Sequence, residues 1–144
     1  MDDPVSLLKN DHAVLLGQLA LLEQQVENKE TRLALLQALM RDCRVHFRRE
    51  QVLFEGLRTA LGSGGQSLDS LVQEHRELEE KIVKLMEAMQ GTCQHTIPDP
   101  EEIHTLIGQF QTHIRHEETV VFVLAGTRLT LAERQNIANQ MLMR

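Results

Sequence analysis

Three histidines in this chain are followed four residues later by a glutamate, and two of these pairs, His46 with Glu50 and His113 with Glu117, belong to a repeated pattern. Residues four apart lie on one face of an α-helix, so each pair presents an imidazole and a carboxylate together. A further histidine precedes each pair, so the pattern occurs once in each half of the chain. The complete set of candidate metal ligands is His12, His46, Glu50, His75, His113 and Glu117.

The surroundings of these residues predict a buried metal centre rather than surface ion pairs. An isolated, exposed His–Glu pair on a helix contributes only about 0.2–0.5 kcal/mol. Here the histidines fall within apolar stripes, and burying Glu50 and Glu117 without a counter-charge would cost several kcal/mol each. Metal ions would remove that cost. No residue is assigned a catalytic role by this pattern.

Six convergent ligands predict two metal ions rather than one. Zinc normally closes a tetrahedral site, whereas an imidazole-rich set also suits iron. With Glu50 and Glu117 bridging both ions and an oxo or hydroxo bridge between them, each ion has five ligands. The remaining position on an octahedral ion would accept dioxygen, nitric oxide, peroxide or azide.

Composition limits the classes of protein to consider. The 144 residues are expected to form a single domain, residues 1–144, and the absence of tyrosine excludes a tyrosyl-radical role. A net charge of −6 without a basic patch argues against nucleic-acid binding. We expect no membrane span, because no apolar run approaches about 18 residues, and no signal peptide. Cys43 and Cys93 do not form a C-x-x-C unit, which favours a reduced, cytoplasmic setting.

Apolar periodicity predicts an all-α protein with four long helices and a short fifth. A glycine-rich segment separates the halves, and caps or capping boxes mark several helix starts. The first predicted helix is capped by Asp3 and ends near Asn28, and the second runs from about Thr31 to Leu61. The third begins after Ser67 and stops at Gly91, and the fourth begins after Asp99 and continues through Leu124. The short fifth helix runs from a Thr130 cap to about Met143.

The two halves of the chain repeat weakly. An acid precedes the lone histidine in each half, at Asp11 and Glu74, and each His-x3-Glu pair is followed by an apolar residue and phenylalanine. Such a duplication predicts an up-down-up-down four-helix bundle with pseudo-two-fold symmetry. Short connections favour antiparallel neighbours.

At these residues the sequence resembles the hemerythrin-like, or HHE, domain family. The resemblance covers roughly residues 8 to 124 and rests on the ligand pattern with the Leu-Phe and Val-Phe that follow the two glutamates. It implies a four-helix bundle around a non-haem di-iron centre, with binding of oxygen or related ligands, iron handling or sensing. Oxygen-carrying members have a further histidine where this chain has Glu79, which argues against reversible oxygen carriage.

The favoured function is that of a cytosolic di-iron protein that binds or senses oxygen, nitric oxide or a related small ligand. The alternative is a di-iron enzyme or iron donor in oxidative or nitrosative stress, acting on peroxide or nitric oxide or in iron–sulfur repair. Family members linked to such repair carry an additional N-terminal module with paired cysteines, which we expect to be missing here. A third hypothesis is a structural module stabilised by its metal.

Several residues near the pattern have open roles. Glu79 lies one turn after His75 and is either a seventh ligand or a partner in a surface ion pair. Cys43 lies one turn before His46 and is interpreted mainly as a small buried hydrophobe, with a redox-linked role as the alternative. Asp11 and Glu74 could orient nearby imidazoles, but their angular offset from the apolar stripe favours solvated surface positions.

The remaining histidines are not predicted to bind metal. His116 is expected at the rim of the site or at the surface, His95 in a loop and His104 at the surface. Glu101 and His104 match a Glu-x-x-His unit of ferritin-like sites, but the unit occurs once, which argues against that class.

Overall fold

The computed structural model describes residues 3–24, 29–62, 67–90 and 100–143, and almost all of these residues are helical. No strand occurs within those ranges, which confirms the predicted all-α class. The elements are α1 (Pro4–Gln24), α2 (Lys29–Leu61), α3 (Ser67–Gln90), α4 (Pro100–His116), a π-helical segment (Glu117–Val121), α5 (Phe122–Arg128) and α6 (Leu131–Leu142).

The first of two hydrophobic cores shows how the four long helices are arranged. It joins the C-terminal halves of α1 and α3 to the N-terminal halves of α2 and α4, so neighbouring helices run antiparallel, as an up-and-down bundle requires. Its fully or nearly fully buried members include Leu19, Leu36, Cys43, Ile82, Leu106 and Phe110.

The second core lies at the opposite end of the bundle. It joins the N-terminal ends of α1 and α3 to the C-terminal half of α2, and α5 and α6 pack against the same end. Its members include Leu8, Leu53, Phe54, Leu68, Phe122 and Met141. The candidate ligands occupy the space between the two cores, so apolar packing above and below fixes the helices that carry them.

Several helix ends form as the sequence predicts. The Asp3 side chain accepts a hydrogen bond from the Ser6 backbone N–H at 3.3 Å, as an N-cap should. Gly62, at the end of α2, has a φ of +62°, which suits a glycine that terminates a helix. Thr130 and Glu133 form the reciprocal hydrogen bonds of a capping box at 3.1 and 2.9 Å.

Some predicted boundaries differ or cannot be compared. The helix α2 begins at Lys29, two residues before the predicted start. The predicted end of the first helix at Asn28, the stop at Gly91 and the cap at Asp99 lie outside the described residues. Within the described ranges, no helix combines the length and apolar character needed to cross a bilayer.

The prediction of one continuous fourth α-helix was wrong, because residues 117–121 form a π-helical turn. The reason is visible in the repeat: Phe54 follows His46 by eight residues, whereas Phe122 follows His113 by nine. A π turn accommodates one additional residue in a helix. The turn therefore takes up the extra residue of the second half, so that the residues after it remain on the same helix face.

Candidate metal centre

The bundle brings all six predicted ligands together in its interior. The four long helices and the π segment each contribute at least one side chain, and none of the six is more than 3 % exposed. Their donor atoms form two groups, each with atoms within 4.8 Å of one another. The first group, called site A, is His12, His46, Glu50 and Glu117, and the second, called site B, is Glu50, His75, His113 and Glu117.

The central glutamates, Glu50 and Glu117, belong to both sites. Glu50 Oε1 lies 3.0 Å from His46 Nε2 and 3.0 Å from His75 Nε2, so one carboxylate faces an imidazole of each site. Glu117 Oε1 lies 3.2 Å from His12 Nε2, and Glu117 Oε2 lies 3.3 Å from His75 Nε2. Both carboxylates therefore lie where they could bridge two ions.

Within each half, helical spacing produces the predicted His–Glu contact. His113 Nε2 lies 3.1 Å from Glu117 Oε1, matching the 3.0 Å contact between His46 and Glu50. Neither His46 Nε2 nor His113 Nε2 has the geometry of a hydrogen bond to any partner in the described structure. These nitrogen atoms therefore face the carboxylates across a shared space.

Three carboxylates outside the predicted set contact the Nδ1 atoms of three imidazole rings, whose Nε2 atoms face the central glutamates. Asp11 Oδ2 lies 3.0 Å from His46 Nδ1, and Glu74 Oε1 lies 2.7 Å from His113 Nδ1. A ring that donates its Nδ1–H to a carboxylate can direct the lone pair of Nε2 towards a metal. The pairing thus orients the imidazoles for metal binding.

The expectation that Asp11 and Glu74 are solvated surface residues was wrong. Their side chains are only 20 % and 31 % exposed, and each contacts a histidine of the next helix. An angular offset of about 100° describes an isolated helix, but the neighbouring helix covers that flank in the bundle. Arg49 also donates hydrogen bonds to Asp11 at 2.8 and 3.1 Å, which fixes the carboxylate.

Glu118 is a further acid at the candidate centre, and the sequence did not lead us to expect it there. Its Oε2 lies 2.9 Å from His12 Nδ1, so it completes the third acid–imidazole pair. The residue lies in the π segment, where a regular helical projection gives the wrong direction. Two signals could have revealed it: the extra residue in the second half, and the recurrence of acids next to predicted ligands, as at Asp11 and Glu74.

Phenylalanine rings enclose the imidazoles. Phe122 stacks on His12 with ring centroids 5.5 Å apart, and Phe54 stacks on His75 at 5.8 Å. Phe47 also stacks on His75, with centroids 4.0 Å apart and an interplanar angle of 7°. This apolar packing limits the access of water to the donor atoms.

The remaining candidate residues lie apart from the two sites. Glu79 is half-buried and belongs to neither group among the described residues, so the structure gives no support to a seventh ligand there. His104 and His116 are mostly exposed, as predicted. Cys43 is fully buried, and burial raises the pKa of its thiol, which fits the predicted inert hydrophobe. His95 and Cys93 lie outside the described residues.

The central carboxylates control the protonation of the imidazoles. Burial by itself lowers the pKa of His12, His46 and His75, but the negative charges of the central glutamates outweigh it, aided at His46 by Asp11. The pKa rises to about 10 at His12 and to about 9 at His46 and His75, and that of His113 is raised as well. In the metal-free protein at neutral pH, protons on the imidazoles therefore balance the buried carboxylates.

The charge balance also acts on Glu50. Burial raises the pKa of this carboxyl, but the facing imidazoles, His46 above all, outweigh burial and hold the pKa well below its usual range. Glu50 is therefore an ionised, fully buried carboxylate. Such a group requires positive charge beside it, supplied either by protonated imidazoles or by metal ions.

The donor atoms fit a pair of metal ions. Both oxygens of Glu50 and the Nε2 atoms of His46 and His113 are buried, and within the described structure they have no hydrogen-bond partner. Unsatisfied buried polar atoms are rare in folded proteins unless an ion or water completes them. Four imidazoles and two carboxylates facing one space can supply first-row metals with nitrogen and oxygen ligands.

An antiparallel helical bundle with a buried His/Glu centre is the architecture of a metal-binding bundle protein. The family model described as the Hemerythrin HHE cation binding domain matches residues 3–125, and the chain belongs to that family. The matched range contains all six predicted ligands, and the resemblance inferred from the sequence is confirmed. Neither a curated protein nor a solved structure gives a significant match to this chain.

Proposed function

We propose that this protein holds two iron ions, one at site A and one at site B, and binds or senses oxygen, nitric oxide or a related small ligand. The observation that carries the proposal is the position of the central glutamates, each of which contacts imidazoles of both sites. Two neighbouring ions require a carboxylate that contacts the imidazole pairs of both sites. A single ion would not require such a shared carboxylate.

The side chains divide the work between them. His12 and His46 would bind the ion at site A, His75 and His113 would bind the ion at site B, and the central glutamates would bridge the two. Bound iron would supply one-electron redox chemistry and an open position for a small ligand. The carboxylates on the far side of three rings hold those imidazoles in the orientation that metal binding needs.

Burial supports a small ligand rather than a large substrate. The six candidate ligands are almost completely enclosed, and Phe47, Phe54 and Phe122 lie against the imidazole rings. A diatomic molecule can pass between packed side chains, but a large organic substrate would require a cleft that reaches the donor atoms.

The proposed cytoplasmic location rests only on the sequence pattern.

The test is the response of the iron-loaded protein to its proposed ligands. Reduced protein is prepared without oxygen, then exposed separately to oxygen and to nitric oxide while its visible absorbance is recorded. We expect a new absorption spectrum with at least one of the two gases. Continued consumption of peroxide or nitric oxide over many turnovers would instead support the enzyme alternative.

Matched variants show whether the response belongs to the proposed centre. His46→Ala should abolish the spectral change, whereas His104→Ala should retain it, because His104 lies at the surface. An iron-loaded wild-type protein that responds to neither gas would contradict the proposed ligand function and would favour a structural role for the metal.

A further inference from the structure

The two halves of the centre are related by a repeat of acid–imidazole pairs. Asp11 of α1 contacts His46 of α2, and Glu74 of α3 contacts His113 of α4. Both acids directly precede a predicted ligand of their own helix. One imidazole of each site is therefore held in the same way, and to this point the centre is symmetric.

The symmetry ends at the other two histidines. Glu118, directly after one central glutamate, contacts His12 Nδ1 at 2.9 Å. The residue directly after the other central glutamate is Gln51, whose side chain is exposed. The corresponding ring nitrogen, His75 Nδ1, is buried and has no hydrogen-bond partner within the described structure.

The π segment accounts for the difference. It contains the extra residue of the second half, and Glu118 extends from its widened turn towards α1. The helix α2 contains no such turn, and its chain continues as a regular α-helix past Gln51. The extra residue thus provides a carboxylate to His12 and none to His75.

Aromatic packing holds His75 instead. Phe47 and Phe54 both stack on its ring, with centroid distances of 4.0 and 5.8 Å. Stacking restricts the orientation of the imidazole but provides no hydrogen-bond acceptor for Nδ1–H. A carboxylate partner also increases the basicity of a metal-binding imidazole, and losing such partners typically costs 10- to 100-fold in metal affinity.

The grooves on the protein surface also distinguish the two sites. A groove of about 480 Å³ runs along the surface between α3 and α4, and its lining includes Glu74, Leu78 and His113. It therefore lies against one imidazole of site B, although His113 itself is only 2 % exposed. None of the described grooves has His12 or His46 in its lining.

We propose that the two metal positions are inequivalent, with site A binding its ion first and more tightly and site B holding the more exchangeable ion. Glu118 is the positioning residue that creates the difference, acting through His12. This inference rests on the proposed pair of metal ions. It adds an order of loading and identifies the position from which an ion leaves first.

The test is a stepwise titration of the metal-free protein with Co²⁺, followed by its visible absorbance in competition with a chelator. The wild-type protein should bind two ions in steps separated by roughly 10- to 100-fold in affinity. Glu118→Ala should weaken the tighter step by a similar factor and leave the weaker step unchanged. Glu118→Gln, which keeps the size but loses the charge, should weaken the same step less.

Matched variants assign the steps to the sites. Gln51→Ala, at the corresponding position of the other half, should leave both steps unchanged. His75→Ala should retain the tight step, whereas His12→Ala should lose it. Circular dichroism identifies any variant that loses helical structure, and Glu118→Gln then replaces Glu118→Ala as the deciding variant.

Two results would overturn this inference and leave the proposed function intact. The first is equal affinity for both ions in the wild-type protein, and the second is equal weakening of both steps by Glu118→Ala. If Glu118→Ala does not fold, equal weakening of both steps by Glu118→Gln counts in its place. In either case the protein still binds two ions, and the proposed function stands. Binding of a single ion, or of none, would overturn both proposals together.

Discussion

His46 of α2 donates a hydrogen bond through Nδ1 to Asp11 of α1, over a distance of 3.0 Å. The same carboxylate accepts hydrogen bonds from Arg49, which follows His46 by three residues on α2. Burial raises the pKa of Asp11, but His46 and Arg49 outweigh burial and lower it, which keeps the carboxylate ionised. The half-buried Arg49 is thereby linked, through Asp11 and His46, to a donor atom in the middle of the bundle.

Asp11→Ala should therefore weaken metal binding without removing a ligand. We expect a loss of about 10- to 100-fold in affinity, because the His46 ring loses the acceptor that orients it and raises its basicity. Competition with a chelator of known affinity measures the change. Asp69→Ala is the control, since Asp69 pairs with Arg58 at the surface. Equal affinities for wild type and Asp11→Ala would contradict the proposed role.

Glu50→Ala should lose both ions rather than one. Its carboxylate contacts His46 of site A and His75 of site B, so its removal takes a ligand from each position. Elemental analysis after loading should find clearly less than one ion per chain. Retention of one full ion would show that Glu50 serves only one site.

Two control variants accompany that measurement. Glu79→Ala and His104→Ala should keep the wild-type metal content, because neither residue belongs to either ligand group. If Glu79→Ala lost metal as completely as Glu50→Ala, the seventh-ligand alternative would return.

Metal binding should release protons at pH 7. The raised pKa values of the imidazoles, about 10 at His12 and about 9 at His46 and His75, leave these rings protonated in the metal-free protein. Each entering ion must displace protons, so affinity should increase as the pH rises. Four imidazoles with the ordinary pKa of about 6.5 would together carry only about one proton at this pH.

Calorimetry in two buffers of different ionisation enthalpy measures the protons released. The expected value is clearly more than one proton per fully loaded chain. Release of one proton or fewer would mean that the buried carboxylates do not raise the imidazole pKa values.

Removal of the metal should destabilise the fold. Binding that is restricted to the folded state adds about 4 kcal/mol when the free metal is about 1,000-fold above its dissociation constant. Chemical unfolding of the loaded and the chelated protein measures this difference. Glu50→Ala should show little difference between the two conditions. An equal lack of difference in the wild-type protein would argue against a buried site.

The sequence was sufficient to predict the helices and the six residues whose side chains cluster inside the bundle. Leucine periodicity defines the buried face of each long helix, and the candidate ligands lie on those same faces. His12 and Glu50 are therefore buried for the reason that Leu8 and Leu53 are buried. A property of a single helix can be predicted from that helix alone.

The parts that were missed depend on two helices at once. Whether Asp11 faces water or His46 is decided by the neighbour that covers its flank, and a single-helix projection contains no information about that neighbour. The direction of Glu118 depends on a π turn that no glycine or proline marks. Only the extra residue between His113 and Phe122, relative to the first half, indicates the turn.

The most direct test of the proposed di-iron centre is the metal content of protein purified from iron-sufficient cells, measured by elemental analysis against an accurate protein concentration. The shared central glutamates predict two metal ions per chain, and the imidazole-rich ligand set predicts that iron dominates. One zinc ion per chain, with no iron even after anaerobic loading with ferrous iron, would contradict the proposed centre.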